Sequence, residues 1–577
     1  PKRRFDEEVF ERPLKHFKPN STVHWEARRY AYYASQTESN KPLIERIQRG
    51  EFVRVYGARA SGKSSRIVDA METLTAKGFE CLYVDLQSFD VKKFWPALNQ
   101  RLKVYGSVNF DDSNGFISAF SVNRKMWKRP VVIFFDEFDL LHKESWNEVR
   151  ESILGTFRAL KNDPGRGPNI ATHVIRSIVS IGAYAILKLS QTGQELSPFN
   201  SSDNFQNTSL SLDQVHELYL QFAKDRDIVI EEFFYCGHAG LVNICGVAVE
   251  EGLPAQTNSK HVDMNDWGSI QNTLVSRMEQ YGTFQKLVMD LTEKNEKRIA
   301  ALTLYRNIFL GSTIEMDLPV NPPEVRDLAE YLTALGVLRS ESVHKFSIAS
   351  PLMDSLIRQT VIPTAFPNAP RTEPPIRSDG SLDILGVIMS ALLFFDKNLI
   401  ERARRVSHKI ASSVSHKIAS SSIRVNRRPG QRVPRESVYD SELLRILANW
   451  LSSQNGYEVI GQYNIGGVFC DIVIRQGGDA VALELVVTET TQVVQAHIDK
   501  TVNYKELLGA NEGWVIHFTK EDNYLKDHPV WPAQEMLDND IFIIHIWHNH
   551  DFTQVRLSAW GKDSHGNVVH ACDEHII

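Results

Sequence analysis

The chain lacks most of what would mark it as secreted or membrane-bound. Its five cysteines (Cys81, Cys236, Cys245, Cys470 and Cys572) are odd in number, widely spread and include no CxxC pair. That excludes a zinc ribbon and a disulfide framework and fits a reduced intracellular protein. No run of ~18 uninterrupted apolar residues exists, so neither a spanning helix nor a membrane partner is expected. Neither sign of charge dominates. The 65 Lys and Arg stand against 71 Asp and Glu, a formal net charge of −6. Nucleic-acid binding therefore does not follow from the total, and any basic surface must be local. What is present is ordinary for a soluble globular protein: 42% hydrophobic and 24% charged residues, which excludes a collagen-like or wholly disordered chain. The 577 residues suggest roughly four structural units. The chain opens on Pro1 rather than Met and reads as trimmed, with any targeting segment out of view.

The pattern along the chain predicts a multidomain α/β protein. Residues 1–40 form a polar and aromatic N-terminal extension, with a helical stretch from Trp25 to Ser35. Within 41–210, four strand-length apolar runs stand out: Phe52–Tyr56, Cys81–Leu86, Val131–Phe135 and Ser177–Gly182. Helical stretches separate the earlier ones, the pattern of a parallel sheet. Residues 211–290 read as a helical subdomain, with Val215, Leu218 and Phe222 at helix spacing. Residues 291–362 read as winged-helix-like, with short strands at Gly336–Arg339 and Lys345–Ile348. Residues 363–435 form a linker and a basic segment, proline-rich from Pro363 to Pro375. The part from 401 to 435 holds Arg402, Arg404, Arg405, Lys409, Lys417, Arg424, Arg427, Arg428, Arg432 and Arg435 against the single acid Glu401. Inside it Val406–Ser413 repeats as Val414–Ser421. Such a segment grips a DNA backbone, or else serves as a solvated linker or a nuclear-import signal. A second α/β unit spans 436–577.

Gly57 to Ser64 spell GxxxxGK[ST] between a strand and a helix pattern, the context of a phosphate-binding loop. Gly57 and Gly62 let the backbone curl so that successive N–H groups face phosphate oxygens. Lys63 supplies a point charge to the β- and γ-phosphates of ATP, and Ser64 offers a hydroxyl to Mg²⁺, with Ser65 next in the nucleotide-binding set. About 70 residues on, the strand Val131–Phe135 delivers Asp136 to hold Mg²⁺ through water and Glu137 to polarise the attacking water. The strand Cys81–Leu86 lies between the two motifs, the order of NTPases that use a glutamate base. Ser180, on the next strand, is a sensor candidate or a plain core residue. This stretch, Phe52 to about Gly246, resembles the AAA+/STAND group of ATPases. The group's frequent His-Pro-Gly turn is replaced here by His238-Ala239-Gly240. Arg158 and Arg176 are weighed as arginine fingers, a surface salt bridge being the alternative for each. A homo-oligomer is among the partners considered.

Near the C-terminus two apolar strands flank Gly477-Gly478. A two-residue turn there sets Gln476 opposite Asp479 and, counting back along both strands, Asp471 opposite Glu484. Opposed Cβ atoms lie about 4.5–5.5 Å apart. Two carboxylates so placed repel unless a cation intervenes, and hard oxygen ligands suit Mg²⁺ or Mn²⁺. This hairpin resembles the PD-(D/E)xK nuclease core. That family carries a lysine two residues after the second acid, where this chain has Val486. The following helix, Thr490 to Leu508, carries His497, Lys500 and Tyr504 on one face, so Lys500 is the expected replacement with His497 beside it. Glu442, early in a helix Ser441–Leu451, is the expected helical acid completing the metal set. His545, His548 and His550 form a candidate cluster, but IFIIHIW, with His545, reads as a strand and HNHD as a turn, so solvated turn histidines are expected rather than a metal site.

The domain order resembles Crinkler-type effectors: a P-loop NTPase with helical and winged-helix-like units, then a restriction-endonuclease-like α/β domain. The resemblance implies an ATP-coupled, Mg²⁺-dependent DNA endonuclease delivered into a host cell and its nucleus, where it kills or reprograms that cell. The alternative is a nucleotide-switched signalling or DNA-binding protein whose nuclease-like domain does not cut.

Overall fold

The computed structural model describes residues 14–577 except 20, 88, 163–171, 191–197, 200, 231–236, 253–260, 312–315, 319–322, 343–344, 402–421, 425–431, 453–454, 488–489, 522–523 and 528. The chain forms two compact units. One is Pro1–Glu250 with Thr333–Gly336, and the other is Glu251–Leu332 with Val337–Ile577. The helical stretch expected over 211–290 is thus divided between them. Among the described residues no helix is long and apolar enough to cross a membrane. Cys81, Cys245, Cys470 and Cys572 are free thiols.

The first unit is built on a five-stranded sheet. Its members are β1 (Val53–Tyr56), β2 (Glu80–Asp85), β3 (Val131–Asp136), β4 (Ile175–Gly182) and β5 (Asn204–Gln206). The order is β2-β3-β4-β1-β5, and every neighbouring pair is parallel. The four apolar runs of the sequence are β1 to β4; β5, with the polar sequence NFQ, carried no such signal. It is β4, not β2, that separates β1 from β3. Every residue of β3 is buried, as a strand covered on both faces requires. One face carries α1 (Thr37–Arg49) and α2 (Lys63–Ala76), whose Leu43, Ile47, Ile67 and Leu74 pack with Val53, Val55, Phe134 and Ile181. The opposite face carries α3 (Phe94–Leu102), α4 (Ser113–Ala119) and α5 (Asn147–Lys161). The first long helix is therefore α1; between Trp25 and Ser35 the regular structure is one short turn, Glu26–Arg29, and a bridge. Beyond the sheet, α6 (Leu212–Arg226) starts at a capping box between Ser211 and Gln214. The helix α7 (Ala239–Gly252) follows.

The second unit opens with helices α8 (Met264–Gln271), α9 (Leu274–Gln280), α10 (Gly282–Thr292) and α11 (Glu296–Leu304). The expected winged element is then present. The helix α12 (Pro323–Leu335) is accompanied by an antiparallel sheet of β6 (Met316–Asp317), β7 (Leu338–Ser342) and β8 (Lys345–Ile348). After α13 (Pro351–Leu356) and α14 (Ile362–Ala365), the stretch expected to be a linker is instead packed structure. Phe366, Asn368 and Thr372 give their carbonyls to Arg445 and Trp450. The helix α15 (Ile384–Leu392) contributes Ile384, Val387 and Ile388 to the main core. Of the basic segment, Ser422–Arg424 and Arg432–Pro434 pair as short strands. Arg435 donates to the carbonyls of Ile308 and Leu310. Arg402, Arg404, Arg405, Lys409, Lys417, Arg427 and Arg428, with the repeat, lie outside the described residues.

The C-terminal part is a seven-stranded sheet with strands in chain order: β9 (Glu458–Ile465), β10 (Val468–Gln476), β11 (Asp479–Val487), β12 (Glu512–Thr519), β13 (Ile541–His548), β14 (Val555–Lys562) and β15 (Val568–His575). The pairs β11–β12 and β12–β13 are parallel and the rest antiparallel. A parallel pair needs a crossover, and α17 (Thr491–Leu508) supplies it between β11 and β12. Thr490 caps its first turn by accepting from the Val493 N–H. Alternation along β11 sends Leu483, Leu485 and Val487 into one core with α15 and α16 (Glu436–Leu447). Val486 goes instead into a second core with Val494 and Ile498 of α17.

Candidate functional site

In the first unit the phosphate-binding sequence leaves β1 and enters α2. Two residues take the left-handed conformation, Ala60 at φ +54 and Gly62 at φ +82. At Gly57 a Cβ would stand 3.0 Å from the Asn207 Cβ, so a larger residue there would require Asn207 to shift by a few tenths of an ångström. Lys63 Nζ donates to the Ala58 carbonyl at 2.7 Å and the Gly57 carbonyl at 3.3 Å, so the ammonium lies inside the loop. Burial lowers its pKa, with Asp136 opposing. Ser64 Oγ donates to Asp136 Oδ2 at 2.6 Å, which brings the two expected Mg²⁺ contacts together across the sheet. The Tyr83 hydroxyl donates to the same oxygen at 2.5 Å. Glu137 follows in a left-handed turn at φ +56. Partial desolvation, then Asp139 and Asp136, raise its pKa. A carboxylate with raised proton affinity is suited to polarising water.

Ser65 Oγ accepts from the Val23 N–H at 2.9 Å, tying the start of α2 to the N-terminal extension. Arg176 donates to the Gln48 carbonyl at 2.9 Å, at the end of α1. Ser180 is fully buried in β4, and its hydroxyl has no partner among the described residues. The His238-Ala239-Gly240 turn does reach the phosphate loop. The His238 Nε2–H lies 3.0 Å from the Arg59 carbonyl and the Gly240 N–H donates to Ala60 O at 3.0 Å. Burial pushes the His238 pKa down to about 4, so the ring is neutral. Asn207, which the sequence did not single out, ties the loop to the strand edge. Its amide donates to Ser61 O and Ser61 Oγ at 2.9 Å.

The second unit assembles the acidic pair. The β10–β11 register runs from Gln476↔Asp479 to Ile472↔Leu483, one step short of Asp471 and Glu484, and the two carboxyl groups interact electrostatically. Asp471 Oδ2 accepts from the Leu485 N–H at 2.8 Å and Oδ1 from Gln462 Nε2 at 3.0 Å. Glu484 Oε1 lies 2.7 Å from Lys500 Nζ and 2.8 Å from His497 Nδ1. Its Oε2 is buried with no partner among the described residues. Lys500 also sits over the Tyr504 ring at 5.1 Å. Partial burial works against the Lys500 charge, yet its hydrogen bonds to Glu484 and Tyr504 hold the pKa above the ordinary value. Val486 is fully buried among apolar side chains and has no access to the acids.

Glu442 does not join them. It accepts from Arg306, from Arg445 at 2.9 Å and from the Asp396 N–H at 2.9 Å. Burial opposes its charge, but Arg306 and Arg445 hold its pKa below the ordinary value. The reason is where the helix starts. α16 begins at Glu436, five residues before the expected Ser441, and residues 438–447 are all buried, so Glu442 needs internal cations. Two other acids of α16 face the pair. Glu436 is pushed up to about 7 by desolvation and then by Glu484. Asp440 is pushed up to about 6 by desolvation, against the pull of Arg358. Desolvation, then Glu484, Asp440 and Glu436, raise Asp471 well above the usual range. An apolar helix pattern conceals both residues, since each occupies a position where buried leucines would be unremarkable.

The histidine expectation is also corrected. His545 and His548 are fully buried on β13. His545 pairs with His517 and the Val530 carbonyl, and His548 with the Tyr439 hydroxyl. Only His550 is exposed in the turn.

Among the described residues no three His, Cys, Asp or Glu side chains converge as a ready cation cage. The acidic pair still fits Mg²⁺ or Mn²⁺. It offers a buried, unpartnered Glu484 oxygen and a carboxylate cluster with surplus negative charge, and Mg²⁺ usually takes one or two carboxylates and keeps its waters. At the phosphate loop the Ser64 and Asp136 oxygens, 2.6 Å apart, are likewise a hard-oxygen pair.

No protein-family profile and no curated protein sequence matches this chain. Solved structures are similar at low level. The ORC2 protein of Aeropyrum pernix in ADPNP–ADP complexes is 13% identical, with a TM-score of 0.37 over 60% of this chain and 96% of that one. Its ADP form is 12% identical, with a TM-score of 0.33 over 55% and 89%. A mutant RuvB of Thermotoga maritima is 14% identical, with a TM-score of 0.26 over 54% and 91%.

Proposed function

We propose that this protein is an ATP-hydrolysing P-loop enzyme that carries a divalent-metal-dependent DNA endonuclease unit. The observation that carries the nuclease half is Lys500. Its ammonium meets Glu484 at 2.7 Å and supplies from α17 the cation that β11 lacks at Val486. When bound, Mg²⁺ withdraws charge from phosphate oxygens and acidifies water at either site. In the first unit Lys63 neutralises phosphate charge, Ser64 and Asp136 hold the ion, and Glu137 orients the attacking water. In the second, Asp471 and Glu484 would hold the ion, while the Lys500 ammonium, which donates to Glu484, would position water by donating a hydrogen bond to it. His497 orients Glu484 through the shared oxygen. The domain order also supports the Crinkler-type reading, in which the DNA belongs to a host cell. On that reading the basic segment 401–435 contacts the DNA backbone.

Purified protein with supercoiled plasmid and Mg²⁺ is expected to nick it, and Asp471→Ala or Glu484→Ala to abolish nicking; unchanged cutting in both variants sinks the nuclease assignment. Lys63→Ala is expected to reduce ATP turnover by about 10²–10³, and retained turnover overturns the ATPase half. A second reading, a nucleotide-switched signalling or DNA-binding protein, is favoured by Val486 at the lysine position. DNA binding without cleavage in both Mg²⁺ and Mn²⁺ selects it.

A further inference from the structure

Gln462 lies on β9 directly beside the acidic pair. The β9–β10 ladder pairs Gly461 with Ile472 and Tyr463 with Cys470, which leaves Gln462 opposite Asp471. Its backbone has φ +51, a conformation that L side chains rarely adopt. Non-glycine residues hold this conformation where the surroundings over-determine it, and such positions cluster at functional sites. The surroundings here are polar and specific. Gln462 Nε2 donates to Asp471 Oδ1 at 3.0 Å and reaches Asp440 Oδ2 at 3.4 Å. Carboxyl oxygens on both sides call for the NH₂ end of the amide between them.

Arg358 anchors the far side of this bridge. Its Nη1 donates to the same Asp440 oxygen at 2.7 Å, and its Nε donates to Asp354 at 2.8 Å. Asp354 accepts in turn from the Tyr305 hydroxyl at 2.5 Å. Arg358 sits in the turn Ile357–Val361, which follows the winged element and α13. A continuous path, Arg358 to Asp440 to Gln462 to Asp471, therefore links the segment after the wing to one acid of the pair.

We propose that Gln462 is the positioning residue of Asp471 and that Arg358, through Asp440, holds Gln462 in place; this rests on the nuclease reading above. With Oδ1 fixed by Gln462 and Oδ2 by the Leu485 N–H, the Asp471 carboxylate has one orientation. So oriented, Asp471 would hold a cation together with Glu484, whose Oε2 has no partner among the described residues. The strained backbone at Gln462 is what aims the amide at both acids. The segment after the wing thereby sets how ready the pair is to take an ion.

The test is Mn²⁺ binding to the full chain without nucleotide, read from the EPR signal of free Mn²⁺, with Tm measured in parallel. Asp471→Asn is expected to remove one bound Mn²⁺. Gln462→Gly is expected to bind that ion about tenfold more weakly, the loss of one hydrogen bond to a charged group. Its Tm should equal or exceed that of the parent, because glycine adopts φ +51 freely. Gln462→Asn, which tolerates the same backbone and keeps an amide, should recover part of the affinity. Arg358→Lys keeps the charge beside Asp440. It should weaken Mn²⁺ severalfold alone and add nothing in the Gln462→Gly background. Unchanged affinity in Gln462→Gly, or a drop in its Tm matching the affinity loss, overturns the positioning role. Additive losses overturn the relay through Arg358. Unchanged binding in Asp471→Asn overturns the nuclease reading itself.

Discussion

The two acid-bearing strand ends of this protein, Asp136 in the first unit and Asp471 in the second, solve the same problem differently. Asp136 meets neutral donors. The Ser64 and Tyr83 hydroxyls share one of its oxygens, and the nearby Lys63 is held by backbone carbonyls. Asp471 sits with three other carboxyl groups, and the cluster is balanced from outside by Arg358 and Lys500. On the proposed reading the first arrangement takes a ligand that brings both phosphate and a cation. The second gathers carboxyl groups in a desolvated place, where protons or a cation relieve their repulsion. On that reading a cation arrives with the nucleotide at one site and competes with protons at the other.

The sharpest way to break this contrast is Glu442. If its role is to neutralise Arg306 and Arg445, Glu442→Gln leaves two buried guanidinium groups poorly paired. It should then destabilise the second unit by about 3–5 kcal/mol. Chemical denaturation with Mn²⁺ binding measured alongside decides the matter. A stable variant with weakened Mn²⁺ binding returns Glu442 to the metal set.

The next effect is on pH. Glu436 moves from the ordinary glutamate range, ~4.3, up to about 7 in the folded protein. A raised carboxyl pKa contributes stability below the unfolded value and loses it as pH rises through the folded one. The second unit should therefore lose Tm between about pH 4.5 and 7.5, and Mg²⁺ should restore more of it at pH 8 than at pH 5.5. Equal Mg²⁺ stabilisation at both pH values contradicts the surplus-charge account. Glu436→Gln should flatten the pH slope.

The smallest expected effect is at Tyr83. Tyr83→Phe removes one hydrogen bond from Asp136, about 1 kcal/mol. The Mg²⁺ concentration for half-maximal ATP turnover should rise about fivefold. An unchanged requirement shows that Ser64 and the Glu137 N–H suffice to fix Asp136.

Much of the first site was legible in the sequence because a phosphate loop is local. The residues that curl the backbone, Gly57 to Ser64, are contiguous, and their chemistry is mostly that of the main chain. The hairpin was legible for a similar reason. A glycine pair at a two-residue turn fixes every opposed position behind it, including Asp471 against Glu484. Lys500 and His497 followed from helix spacing against the same strand. The missed parts are those whose role depends on a distant neighbour. Asn207 lies far along the chain from the loop it braces. Glu436 and Asp440 became site residues only because α16 starts earlier than its apolar pattern suggests. His548 reads from the sequence as part of the turn after the strand that holds His545, yet the parallel neighbour β12 and the helix α16 bury both, with His517 and Tyr439.

By itself, the order of residues determined the phosphate loop, the strand carrying Asp136 and Glu137, the register of the acidic hairpin and the helix bearing Lys500. Short-range geometry governs each of these: a turn type, a strand alternation or a helical repeat. Only the tertiary structure decided which buried charges belong to which site. Glu442 went to Arg306 and Arg445, while Asp440 went to Arg358 and Gln462. A desolvated charge is stable only beside the partner that packing brings to it, and two of those partners, Arg306 and Arg358, come from 136 and 82 residues away in the chain.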